Sequence, residues 1–259
     1  MARRWQVQPS AAFLLHRYDW SETSLILDLF TRDQGRVVVV AKGAKRPYSQ
    51  LRSVLLPFQR LNAAFTRPKA NAEDEVLTLR SAEWAGGTAL LPASALFAGF
   101  YLNELLMRFL ARSDAHPGLF DLYAATLPAL AARQETLTQA ALRAFELVLL
   151  REVGLLPRLD VQTTTARPLL ADAPYSLRPE LGLGEPPGQS DQPAMPGQRW
   201  QRLQQALDGG DLADVQRACS DDLSVLKAVL RALLHYHLGS SRLRTRDVML
   251  DAQQWMEST

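Results

Sequence analysis

The hydrophobic periodicity of this chain changes once, and that change limits the fold more than any other feature. Through about residue 83 apolar side chains recur at every second position, and from Ala95 onward they recur three and four apart. Period two places alternate side chains on opposite faces of a strand, and the longer period places them along one stripe of a helix. A strand-rich segment followed by a helical one predicts an α+β multidomain protein. In Ser24–Thr31, Leu25, Leu27 and Leu29 share one face, with Ile26, Asp28 and Phe30 on the other. Arg36–Ala41 is almost wholly β-branched, which favours a strand. Gly35 between them can supply the positive φ of a tight turn, so the two segments read as a hairpin. Further strands are expected at Ala12–Tyr18, Leu55–Thr66 and Glu75–Glu83, with Pro57 at the start or edge of its strand.

Five short strands in this length suit a small barrel. An open five-stranded OB barrel commonly binds single-stranded nucleic acid. Strand count alone leaves an SH3-like barrel equally open.

Trp84–Ala93 carries Gly86-Gly87 and Pro92 and reads as the junction. This sets domain boundaries at 1–83 for the barrel, 84–93 for a linker and 94–259 for an α-helical domain. Helices are expected at Ala95–Ala111, Leu119–Ala132 and Leu137 to about Val153, the last opened by a capping box of Thr136 and Gln139. Eight of the 15 prolines fall between Pro157 and Pro196, so residues 158–198 read as a loop-rich insertion. Helix resumes at Arg199–Leu207 and again from near Ser220, an expected N-cap, to Gly239. A short final helix is expected at Asp247–Trp255.

Composition excludes several classes. No apolar run reaches the roughly 18 residues of a membrane helix, and Ala11–Leu15 is too short for an export signal before His16 and Arg17. A soluble, cytoplasmic protein that does not engage a membrane is expected. The lone Cys219 has no partner for a disulfide or a cysteine-based zinc site and no nearby base. The four histidines lack metal-ligand spacing, and no Walker loop, GxGxxG or GxSxG motif occurs. Asp221-Asp222 read as acids favouring a helix start. The residues therefore suggest no catalytic site, metal or cofactor.

The net charge of +2 conceals a segregation. Residues 1–69 hold twelve Lys/Arg against four acids, and the remainder is net acidic. A basic first quarter points to a polyanion-binding module. Its densest part, Arg32–Arg60, has seven basic residues and one acid. There Lys42, Lys45, Arg46 and Arg52 flank Gly43 and Pro47, so they lie on a loop from which long cations can reach phosphates. Tyr48 and Phe58 are candidate stacking surfaces, although Phe58 follows Leu55-Leu56-Pro57 and reads better as core. A solvated basic loop on an ordinary barrel would look the same in sequence.

Several phrases together resemble a known family. LLHRYDWSETSLILDLFTRDQGRVVVVAKGAKRP at Leu14–Pro47 and LLPFQ at Leu55–Gln59 are similar to the start of the bacterial RecO family of recombination mediators. TLRSAEW (Thr78–Trp84), YLNELL (Tyr101–Leu106), ALRAFELVLLREVG (Ala141–Gly154) and SSRLRTRD (Ser240–Asp247) extend the likeness over most of the chain. The resemblance implies an N-terminal OB domain and a helical C-terminal domain. It implies a nucleoid-associated protein that binds single- and double-stranded DNA. Such a protein anneals complementary strands coated by single-stranded-DNA-binding protein and, with RecR, helps load RecA on gapped DNA. By motif position it implies Arg36, Lys42, Lys45, Arg46 and Arg52 as DNA contacts. Arg143 would help to hold the acidic tail of the single-stranded-DNA-binding protein, because a carboxylate beside an aromatic ring suits a cation next to an apolar groove. Arg242 and Arg244, with Arg246, form a candidate second DNA contact. One departure is plain. Many family members carry two CxxC pairs for zinc in the insertion, but Arg158–Arg199 contains no cysteine, so a zinc-free insertion is expected. An RNA-binding OB protein, a nuclease and an adaptor that touches no DNA remain the alternatives.

Overall fold

The computed structural model describes residues 9–66, 77–87, 90–188 and 192–239, together with Leu243, Thr245 and Val248. The chain divides into two compact units, Met1–Ala131 and Ala132–Thr259.

The first unit opens with β1 (Ser10–Asp19), β2 (Leu25–Thr31) and β3 (Gly35–Ala41), then a single helical turn α1 (Leu51–Val54), then β4 (Arg60–Thr66) and β5 (Leu77–Trp84). The strands close into a barrel of order β1-β2-β3-β5-β4, with β4 returning to β1. Closure comes from a parallel contact of Val39 and Val40 with Leu77 and Thr78. This is the five-stranded OB-type arrangement expected, and closing the sheet removes its edges. The leucines of β2 face inward as the alternation required, packing with Val37, Val39 and Leu61. Gly35 has φ +66°, and a Cβ there would strike the Asp114 carbonyl, so the turn admits no side chain.

The expected strand Leu55–Thr66 is shorter than its apolar run, because the chain first forms α1 and then turns through Pro57 and Phe58. Phe58 takes φ +65°, which bends the backbone and drives the ring inward, where it is buried against Gly99 and stacks edge-on with Phe100. A Cβ on Gly99 would fall 2.7 Å from that ring. Phe58 is a core residue.

Helices α2 (Ala93–Phe109) and α3 (Pro117–Ala131) complete this unit. They explain why β1 and β2 are buried on both faces. Phe13 and Phe30 point out of the barrel and meet Phe120 and Tyr123 of α3, with ring centroids 4.9 to 6.5 Å apart. Asn103, 1% exposed, donates to the Leu15 carbonyl and accepts from the Tyr123 hydroxyl at 2.6 Å. Burial pushes the Tyr123 hydroxyl upward from its usual range, so it stays a donor. Arg32, beyond β2, forks onto Asp121 of α3 and lowers the pKa of that carboxyl, chiefly through the side-chain hydrogen bond.

The second unit contains α4 (Glu135–Glu152), a three-stranded sheet of β6 (Pro174–Arg178), β7 (Gly182–Gly184) and β8 (Met195–Pro196), and then α5 (Gly197–Gly209), α6 (Leu212–Ser220) and α7 (Leu223–His237). The expected capping box at Thr136 is absent. The helix starts earlier, at an N-cap Gln134 without a side-chain bond, and Gln139 donates to Glu135. Ser220 likewise ends α6 rather than capping the next helix, whose N-cap is Asp222. Helix α6 was not anticipated. Asp211 caps it by accepting from the amides of Ala213 and Asp214.

The Pro-rich insertion is loop-rich but not shapeless. Its sheet runs β7-β6-β8, and it buries Tyr175, Leu177, Leu183 and Met195. Trp200, fully enclosed, donates to the Tyr175 carbonyl, and Ser176 donates to the Pro193 carbonyl. Apolar packing and these bonds hold the segment. The helix expected at Asp247–Trp255 lies outside the described residues.

Candidate nucleic-acid interface

Two loops of the barrel meet at one end. The β1–β2 loop, Trp20–Ser24, and the loop after β3, Lys42–Gln50, are tied by the Lys45 amide donating to the Thr23 carbonyl at 2.9 Å and by the Gly43 amide donating to Ser24 Oγ. Lys45 adds a side-chain link, donating from Nζ to the Ser21 carbonyl and pairing with Asp19 Oδ1, each at 3.1 Å. These bonds fix where the loop cations stand.

The basic stripe then separates into two groups. Three of its members already have acidic partners: Arg32 with Asp121, Arg36 with Asp28 and Lys45 with Asp19. Arg36 departs furthest from a surface contact. Its Nε sits 2.9 and 3.1 Å from the two oxygens of buried Asp28, and its Nη1 donates to the Met107 and Leu110 carbonyls at the end of α2. A guanidinium so occupied stitches the barrel to a helix. Lys42, Arg46, Arg52 and Arg60 are exposed and form no ion pair with another described residue, Arg60 acting only at a distance on Asp121.

Arg52 and Lys45 help to line an open hollow of about 580 Å³, with Arg17 and Asp19 from the end of β1. Leu25, Ala44, Leu51 and Leu55 also line it. Aromatic rings stand exposed on the same two loops: Trp20 is 64% exposed and Tyr48 99% exposed. Tyr18, half exposed on β1, packs edge-on against His16. Arg17, Tyr18 and Trp20 were missed in sequence. They lie in a phrase with acids at Asp19 and Glu22, and only the pairing of the loops brings them beside the basic segment.

Arg143 of α4, the residue implied for tail binding, does not stand in solvent. It is buried, and its Nη2 lies 2.6 Å from Oε1 of Glu146, one helical turn on. Its Nε has no hydrogen-bond partner among the described residues. Cys219 lies within the field of this pair. Its thiol is pushed up to about 12, first by burial and then by the Glu146 charge, with Arg143 opposing. Native Cys219 should therefore react with a disulfide reagent at pH 8 about a thousandfold more slowly than an exposed thiol. Labelling in denaturant, compared with labelling in buffer, checks this.

Arg242, Arg244 and Arg246 lie outside the described residues. Among the described residues no group of three His, Cys, Asp or Glu is placed to hold a metal, and no helix is long and apolar enough to cross a membrane.

The sequence matches the family model for the recombination protein O N terminal over residues 6–87 and that for the recombination protein O C terminal over residues 93–247. A Polaromonas sp. protein named DNA repair protein RecO is 53% identical over 243 residues, covering 93% of this chain and 95% of its own length. Proteins of the same name from Polaromonas naphthalenivorans and Variovorax paradoxus are 51% and 50% identical, over 96% and 98% of this chain and 98% and 99% of their own lengths. Matches over both halves, in order and at half identity, leave one family: the chain belongs to the RecO family of DNA repair and recombination proteins.

Proposed function

We propose that this protein is a DNA-binding recombination mediator. It anneals complementary single strands coated by single-stranded-DNA-binding protein and, with RecR, promotes RecA loading during repair of gaps and breaks. The observation that carries the DNA-binding part is the pair of tied loops, which present Lys42, Arg46 and two exposed aromatic rings. Arg52 stands not on the expected loop but on α1, across the hollow from Arg17. None of Lys42, Arg46 and Arg52 is ion-paired among the described residues. No covalent step is needed. Cations on the barrel would reduce repulsion between two phosphate chains while their bases pair, and the rings would hold bases unstacked.

Residues 1–83 would carry this surface, with 84–93 joining them to the helical part, residues 94–259, which would meet the protein partners. Arg36 is left out of the contact set, because its guanidinium already serves Asp28 and α2. Arg242 and Arg244 stay in it as a second contact with double- or single-stranded DNA. For the acidic tail of the single-stranded-DNA-binding protein the proposed contact remains Arg143, which lies buried against Glu146 in α4. A DNA-bound protein of this kind would be cytoplasmic and associated with the nucleoid.

The test is the triple variant Lys42→Glu, Lys45→Glu, Arg46→Glu. Reversing three charges should lower single-strand affinity at least a hundredfold near 50 mM salt. Losing the Lys42 and Arg46 contacts, and that of Lys45 to the extent that it leaves Asp19 for a phosphate, should also flatten the slope of log affinity against log salt by about one to two. Annealing of strands coated by the binding protein should fall in step, while the thermal transition stays within a few degrees. Normal annealing by this variant would refute the assignment. Tighter binding to RNA than to DNA oligomers would refute the substrate.

A further inference from the structure

We propose that the hollow beside the tied loops seats one unstacked nucleotide of the bound strand, with its base against Leu51 and its phosphate on Arg17 and Arg52. This rests on the nucleic-acid reading of the loops and deepens it from a charged track to a base-holding site. A track for phosphates needs only cations on a surface. Here the cations rim a concave space of about 580 Å³, within the roughly 300–1,000 Å³ range of small-molecule sites. The lining is mainly polar, but half-buried Leu51, with Leu25 and Leu55 buried behind it, gives it an apolar patch that a phosphate would not use.

A nucleotide matches both parts, because its base has apolar faces and its phosphate carries the charge. Trp20 follows Asp19 of the rim directly and stands 64% exposed, placed to continue the stack with a neighbouring base. The Lys45–Asp19 pair and the Lys45 bond to Ser21 hold the rim together, which makes Lys45 a positioning residue as well as a cation. A base paired inside a duplex cannot enter the hollow, so the site favours single strands over double ones. That preference suits a protein that must hold a strand before its complement arrives.

The experiment compares two 20-nucleotide oligomers with equal phosphate number, oligothymidylate and a fully abasic strand, binding to the full-length protein by fluorescence anisotropy near 100 mM salt. The native protein should bind oligothymidylate about tenfold more tightly. Leu51→Gln, which makes the apolar patch polar without altering charge, and Trp20→Ala should each cut that preference to about threefold or less, with abasic binding unchanged. Equal affinity for the two oligomers in the native protein overturns the nucleotide seat and leaves the phosphate-binding reading intact. A preference that survives in both variants places base recognition elsewhere and also overturns the seat. Failure to bind either oligomer removes the DNA-binding reading itself.

Discussion

Replacing Arg36 by methionine is expected to destabilise the first unit by about 3–5 kcal/mol, the usual effect of stranding one partner of a buried ion pair. Asp28 is 2% exposed, and Arg36 is its cation. Methionine keeps much of the stem but leaves the carboxylate buried without a positive partner. It also removes the donor to the Leu110 carbonyl, 3.1 Å away at the end of α2. Against a typical folding margin of about 5–15 kcal/mol, a thermal transition followed by circular dichroism should fall by roughly 10–20 °C. At low temperature, where the variant is still folded, its affinity for single strands should remain within about twofold of the parent. Adding Asp28→Asn, which removes the stranded charge, should recover part of the lost stability. A variant with an unchanged transition and a large loss of affinity would instead place Arg36 on the DNA.

Arg36 also shows what could and could not be read in the sequence. The barrel was legible because the alternation in β2 and β3 has one physical meaning: a strand whose leucines or valines must face a core. The seven-cation stripe was legible only as composition. Which of its members are neutralised depends on acids distant along the chain, and nothing local announces that Asp121 will meet Arg32 across 89 residues. The site failed to appear whole for a related reason. Trp20 and Arg17 reach the basic loop through the backbone bonds of Lys45 and Gly43 to the β1–β2 loop, a tertiary event. Arg143 shows the converse. An arginine in a helical phrase reads as a surface cation, but the face of α4 that carries it is enclosed, and Glu146 is buried with it. In the insertion, proline density correctly signalled loops yet hid a small sheet, because strands of two to five residues leave almost no periodic trace.

The same contacts predict where the chain can be cut. A fragment ending at residue 87, just past β5, should fail to fold, and one ending at Ala131 should fold cooperatively. In the shorter fragment Phe13 and Phe30 lose Phe120 and Tyr123, and their rings would face water. Exposing two phenylalanines forfeits roughly 3–6 kcal/mol. The fragment also loses the Asn103 bond to the Leu15 carbonyl and the α2 carbonyls that engage Arg36, each typically contributing about 1 kcal/mol. The sum rivals the whole margin of a small domain. Thermal melts and amide chemical-shift dispersion of the two fragments decide the matter, and a cooperative transition for 1–87 within a few degrees of that for 1–131 would refute it. The expected result has a consequence for binding. If the barrel is stable only with α2 and α3 docked, the loops that meet DNA are held in register partly by helices on the outside of the barrel. Single-strand affinity of the 1–131 fragment should then match the contribution of the tied loops in the full chain, and 1–87 should show none of it.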